Sequence, residues 1–298
     1  MHYETKSYKI FKFFNILFML LIMTVMIYPY LNTLAKALND ASNTALGGIT
    51  IFPRKLTLDN FATLLKNSQI KSAAIISVVR VLCAVVFSLI IQFSAAYGFT
   101  KKNLLGRSKL LVFLIIPMFF TGGLIPTYLL YSKIGFLNNF LVYVIPHAFS
   151  LYNMVIIRTY INTLPESLEE SAKLDGANEF VVFYKIILPL CTPILATIAL
   201  WTAVGQWNDW TTTLYFITKQ KLFTLQYVLM QVLKETERIQ KLIQQAALEG
   251  QELHLEIKTT PEALQSAQII LTTIPIIMVY PFLQKYFIKG VTLGAVKD

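Results

Sequence analysis

The chain has 298 residues, of which 55% are hydrophobic and 14% charged, against roughly a quarter charged in ordinary soluble domains; its mean hydropathy is +0.58. A water-soluble globule would lack the charge needed for its surface, so the apolar residues must face lipid. The formal charge of +10 would point to nucleic acid in a soluble protein; here it is first mapped onto membrane topology, and no nucleic-acid partner is expected.

A helix crossing the hydrocarbon core needs about 20 apolar residues, because each adds about 1.5 Å and every backbone polar group must be satisfied within the segment. Six stretches fit, at residues 13–30, 73–97, 110–131, 136–157, 186–207 and 269–287, and Arg80 and Lys285 are the formal charges inside them. The expectation is an all-α integral membrane protein with six spans, forming a single transmembrane domain over residues 1–298. The first stretch follows Lys6, Lys9 and Lys12 and precedes Ala35-Lys36-Ala37, as in a signal peptide. Its apolar run exceeds the about 7–15 residues of a signal core, so it reads as a retained helix. Cys83 and Cys191 both fall inside apolar stretches, which excludes a disulfide framework.

The short connections set the orientation. Residues 1–12, the 100–109 loop with Lys101, Lys102, Arg107 and Lys109, and the tail with Lys285, Lys289 and Lys297 are basic, whereas 132–135 carries only Lys133. Basic ends belong in the cytoplasm. Both termini are therefore expected inside, and the longer segments 32–72 and 208–265 outside. Within the second of these, residues 234–248 place Ile239, Leu242, Ile243 and Ala246 at helical spacing among polar residues. This amphipathic helix is either a solvated surface element or a docking surface.

The loop 159–185, placed inside, is acidic. Glu166, Glu169, Glu170, Asp175 and Glu179 outnumber Lys173 and Lys185, the reverse of positive-inside anchoring, and a partner surface is the natural constraint. Pro165 suits a first helical turn, the early glutamates suit the helix dipole, and Gly176 suits a left-handed helix end. A second helix is expected from Ala177, with Pro189 and Pro193 bending the chain into the fifth span.

These residues resemble a known family. Glu170-Ser171-Ala172, then Gly176, then Ile186-Ile187-Leu188-Pro189 are similar to the EAA loop of bacterial ABC importer permeases, EAA-x3-G-x9-I-x-L-P, here over 165–189, with Ser171 in place of the middle alanine. Asp175-Gly176-Ala177 is the form of the carbohydrate-uptake branch, to which the inner permease of the maltose system belongs. Residues 120–127, 165–172, 280–287 and Trp207-Asn208-Asp209-Trp210 look like permeases for polysaccharide or aldouronate-type oligosaccharides. The resemblance implies a type I permease in the bacterial cytoplasmic membrane that pairs with a homologous second permease. It further implies two ATPase subunits that bind ATP and Mg, an extracytoplasmic solute-binding protein, and ATPase coupling through Glu170, Ser171, Ala172, Asp175 and Gly176. No cofactor is expected in this chain, which has no G-x-x-x-x-G-K-[ST] loop.

Other classes fit less well. His2, His147 and His254 are scattered and no H-E-x-x-H motif exists, which argues against a polytopic enzyme. A secondary transporter would place ionisable groups at mid-membrane, and only Arg80 approaches that. Arg80 either snorkels or pairs internally, or it faces the cavity and favours an acidic, uronate-containing oligosaccharide. Trp207-Asn208-Asp209-Trp210 is either an interfacial belt or a sugar contact. An ABC permease for a different solute is the alternative cargo reading.

Overall fold

The structure is a computed structural model in which residues 6–120, 122–248 and 261–295 are described. These residues form helices in the order α1 (Lys6–Ala37), α2 (Ala41–Ala45), α3 (Asp59–Lys66), α4 (Ser68–Thr100), α5 (Arg107–Phe119), α6 (Leu124–Lys133), α7 (Leu151–Ile161) and α8 (Ser167–Leu174). Then follow α9 (Glu179–Val181), a π-helical turn Val182–Ile187, α10 (Leu188–Leu190), α11 (Thr192–Asn208), α12 (Thr211–Phe216), α13 (Leu225–Leu248) and α14 (Pro261–Ala295). Among the described residues the one β-type pairing is an isolated bridge between Asn39 and Leu56.

Among the described residues, three continuous stretches are long and apolar enough to cross a membrane: α1, α4 and residues 262–279 of α14. Three further candidates are bent pairs, α5 with α6, the 3₁₀ turns of 140–147 with α7 at 45°, and the helix ending at Leu190 with α11 at 75°. The six-span expectation therefore appears as three unbroken helices and up to three broken ones. The breaks have local causes. Gly123 has φ +82° just before α6, Pro146 sits in the second 3₁₀ turn, and Pro189 and Pro193 lie on either side of Cys191. A proline removes a helical N–H and crowds the carbonyl four residues back, and the π-turn ahead of Pro189 accommodates that mismatch.

The chain forms two compact units. One comprises Met1–Ile70 and Leu229–Ile274, the other Lys71–Val228 and Pro275–Asp298. In the first, Asn60 is buried and its Nδ2 donates to the carbonyls of Ala37 and Asn39 at 2.9 and 2.8 Å, fixing α3 beneath the end of α1. Lys36 pairs with Glu262 at 2.8 Å. Most of α1 exposes large apolar side chains such as Phe11, Phe13, Phe14 and Phe18, which only hydrocarbon or another protein accommodates.

In the second unit Phe93, Ala96 and Tyr97 of α4 pack with Met154, Ile157 and Ile161 of α7 and with Val182, Ile187, Cys191 and Ile198. Alanines at 95, 96 and 172 let these helices approach closely. Cys83 and Cys191 are free thiols.

Some boundaries differ from expectation. The amphipathic helix begins at Leu225 rather than Lys234, because Leu225, Val228 and Leu229 are buried and extend its apolar face. The second helix of the acidic loop begins at Glu179, since the Asn178 side chain accepts from the Val181 N–H and caps it there. His2, His254 and Lys297 lie outside the described residues, as do the side chains of Ile239, Ile243, Ala246, Lys285 and Lys289.

Candidate functional site

The acidic loop builds a short, well-terminated helix. Pro165 and Glu166 open α8 by accepting from the N–H groups of Leu168 and Glu169 at 3.2 and 3.0 Å. Glu169 and Glu170 lie in its first turn and Lys173 in its last, matching the macrodipole at both ends. Gly176 has φ +81°. Its N–H donates to Lys173 and the Ala177 N–H to Ala172, at 3.0 and 2.9 Å, which are the two bonds of a Schellman stop. A Cβ at Gly176 would meet no atom within 4 Å beyond its immediate chain neighbours.

One face of α8 looks outward. Glu170, Ser171, Asp175 and Gly176 are exposed, and Leu174, an apolar side chain, is 89% exposed. Ala172 points the other way and packs, half-buried, against the core. The expected coupling residues thus lie on one helix and its stop, four facing outward and Ala172 seating the helix.

The inward side of α8 holds the end of α4. The Lys101 ammonium sits 2.6 Å from Glu169 and 3.0 Å from Glu179, and lies over the Tyr97 ring at 4.1 Å. The Tyr97 hydroxyl donates to Glu179 at 2.8 Å, and Lys173 reaches the other Glu179 oxygen at 2.7 Å. Burial pulls the Lys101 ammonium down, but Glu169, Tyr97 and Glu179 outweigh it and hold it above the usual lysine range. Lys173 and then Lys101 hold the Glu179 carboxyl at about 2. The more exposed Lys102–Glu166 pair, at 3.0 Å, adds little. An open cleft of about 790 Å³ runs beside this grip, lined by Lys101, Arg107, Asn162, Glu166 and Glu170 among others.

A second polar cluster surrounds Arg80, whose side chain is fully enclosed. Its guanidinium pairs with the Asp209 carboxylate, donates to the Asp209 carbonyl at 2.8 Å and to Gln206 Oε1 at 2.7 Å, and lies 4.5 Å from the Tyr143 ring centre. The other Asp209 oxygen accepts from the N–H groups of Thr211 and Thr212 at 3.0 and 3.2 Å and anchors the start of α12. Buried Tyr143 donates to the Leu222 carbonyl at 2.8 Å and meets Thr213 at 2.9 Å, and Thr213 meets Thr224 at 3.0 Å. Ser77, one turn before Arg80, accepts from the Leu225 N–H at 2.8 Å.

Arg80 is therefore an internally paired residue, one of the two readings open from sequence. Trp207 is buried, Trp210 half-buried, and Asn208 exposed with its side chain accepting from Gln226 at 3.4 Å. Sequence reasoning missed the Lys101–Glu169–Glu179 grip, the exposed Leu174, and the roles of Gln206 and Tyr143. The basic 100–109 loop and the acidic 159–185 loop, assigned to one side of the membrane, carried the signal for the first. Among the described residues no group of three or more His, Cys, Asp or Glu side chains is placed to hold a metal ion.

Residues 74–293 match the family model described as the binding-protein-dependent transport system inner membrane component. Protein LplC of Bacillus subtilis (strain 168) is 35% identical over 295 residues, covering 99% of this chain and 97% of its own. The polygalacturonan/rhamnogalacturonan transport system permease protein YtcP of the same organism is 29% identical over 282 residues, covering 94% and 96%. A chain in the crystal structure of a bacterial ABC transporter involved in the import of the acidic polysaccharide alginate has the same fold, with a TM-score of 0.84 at 24% identity over 96% of this chain and 100% of that one. The match spans the α4 core, the α8 loop and the Arg80 cluster alike, and the chain belongs to the family of inner-membrane components of binding-protein-dependent transport systems.

Proposed function

We propose that the chain is one of two permease subunits lining the pathway of an ABC importer for acidic, uronate-containing oligosaccharides, with α8 as the helix on which a separate ATPase acts. The observation that carries the coupling assignment is the outward face of α8. Glu170, Ser171, Leu174, Asp175 and Gly176 are exposed together at a helix stop, and a protein partner seated there would cover the 89% exposed leucine and meet the carboxylates beside it. Ala172 seats the helix on its own core, so a push on the outer face is passed inward rather than absorbed.

On this reading, closure of the ATPase dimer on ATP displaces α8 and switches the pathway between inward-facing and outward-facing states. Both termini and the 100–109 and 159–185 loops face the cytoplasm, and 208–265 faces the solute-binding protein. The acidic cargo is supported by the polygalacturonan/rhamnogalacturonan assignment of a relative and by the alginate transporter that shares the fold. Arg80, enclosed and paired, serves the pathway by holding the 207–210 segment in place. The chain itself carries out no chemistry, and ATP and Mg belong to the partner.

The test is binding of a panel of neutral and uronate oligosaccharides to the cognate solute-binding protein, followed by uptake. Selective binding of the uronates is expected. A binding protein that takes only neutral glycans would remove the acidic-cargo reading while leaving the coupling assignment standing.

A further inference from the structure

The two polar clusters sit on one helix, one at its C-terminal end and the other about a third of the way along it. Arg80 and Lys101 are separated by 21 positions along α4 and the residue after it, which is about 30 Å at 1.5 Å per residue. No charged residue and no proline lies between them. Among the three continuous helices of the described residues that are long enough to cross a membrane this is distinctive, because α1 contains Pro29 and α14 contains Pro275 and Pro281. Proline and local insertions are the usual causes of helix kinks, so α4 is the stiff member of the set.

Both points are gripped in a similar manner, by a cation over a tyrosine ring and against acceptors, a carboxylate among them, from a different part of the chain. At one end Lys101 lies over Tyr97 and binds Glu169 of α8 and Glu179 of α9. Within the helix, about three turns from its start, Arg80 lies over Tyr143 and binds Asp209 and Gln206 at the end of α11. Ser77 adds a bond to the Leu225 N–H at the start of α13. The direct chain route from α8 to the Asp209 segment runs instead through the π-turn, two prolines and a 75° bend, where a displacement is easily lost as local flexing.

We propose that α4 is the transmission rod of the permease, with Lys101 and Arg80 as its positioning residues, carrying displacement of α8 to the Asp209–Leu225 segment about 30 Å away. This rests on α8 being the ATPase contact. The cation at each end of the 80–101 stretch acts as a joint: charge-assisted bonds to two acceptors fix direction as well as distance. Energy put in at α8 therefore reaches the segment at the far mouth without passing through the bent fifth span.

The experiment uses the complete transporter in nanodiscs, with Cys83 and Cys191 replaced by alanine and one fluorophore on a new cysteine. The label goes at Lys221, which is exposed beside Leu222, or, in a second preparation, at exposed Asn103 next to the Lys101 grip. ATP should change the emission of both labels. Lys101→Met should cut the change at position 221 about fivefold or more, while Lys101→Arg keeps most of it. Arg80→Gln should cut the change at 221 and leave that at 103, which a general loss of structure would not do. A full-sized response at 221 in Lys101→Met or Arg80→Gln would overturn the rod. An ATP-silent label at 103 in the otherwise unaltered transporter would instead remove the coupling assignment beneath it.

Discussion

Replacing Asp209 with asparagine strikes the buried pair where its chemistry is least forgiving. The Arg80 guanidinium is fully enclosed and Asp209 is its ion-pair partner. Asp209 spends one oxygen on Arg80 and the other on the Thr211 and Thr212 N–H groups. Asparagine has the same shape but a single oxygen. It either keeps the start of α12 and turns its N–H groups on the guanidinium, donor against donor, or serves Arg80 and abandons α12. Breaking one side of a buried pair costs about 3–5 kcal/mol because the remaining charge is uncompensated, and the retained bond places Asp209→Asn near the lower end. At roughly 2–4 °C per kcal/mol for a chain of this order of size, the unfolding midpoint should fall by about 6–12 °C. Adding Arg80→Met removes the stranded charge, so the double variant should recover part of the loss and give a coupling energy of about 2 kcal/mol. Intrinsic fluorescence of the assembled transporter during heating reads this directly. A midpoint unmoved by Asp209→Asn, or a double-variant cycle with no coupling, would refute the reasoning.

Gly176→Ala should lower stability by about 1–2 kcal/mol through its left-handed φ alone, since the added Cβ meets nothing within 4 Å beyond its immediate chain neighbours; Gly176→Leu should also abolish transport and ATPase copurification, and Leu and Ala variants with equal uptake would show that the space is not a partner's. A cysteine at Asn178 should resist an impermeant reagent in intact cells and react after permeabilisation, and labelling from outside would reverse the topology. Glu179 is held at about 2, below the ordinary carboxylate value of 4.5, so its stabilisation is present above about pH 4.5 and is lost as pH falls toward 2. Wild type should therefore unfold at a higher temperature than Glu179→Gln at pH 7, with the gap closing by about pH 2; a gap that persists there contradicts the grip.

The membrane class and the α8 motif were legible because both rest on local signals. Apolar runs of span length need no tertiary information, and Gly176 with its φ of +81° follows from a helix that ends at Asp175. The broken helices were only half legible: Pro146, Pro189 and Pro193 announce bends, but whether a proline kinks a helix or splits it depends on what packs against the freed carbonyls. Arg80 was visible as an anomaly, a charge inside an apolar run, whereas its partner was not. Asp209 lies 129 positions away, and no periodicity links residues across that distance. The same holds for Lys101 with Glu169 and Glu179. Each looked like a topological or dipole charge, and only the fold converts opposite charges on two loops into a joint.

The most direct test of the account is uptake by proteoliposomes containing this chain, its partner permease, the ATPase and the solute-binding protein. Import of a uronate oligosaccharide should require ATP and the binding protein, persist when ion gradients are collapsed, and stop in Gly176→Leu. Uptake by this chain without the ATPase, driven by an ion gradient and indifferent to Gly176, would contradict it.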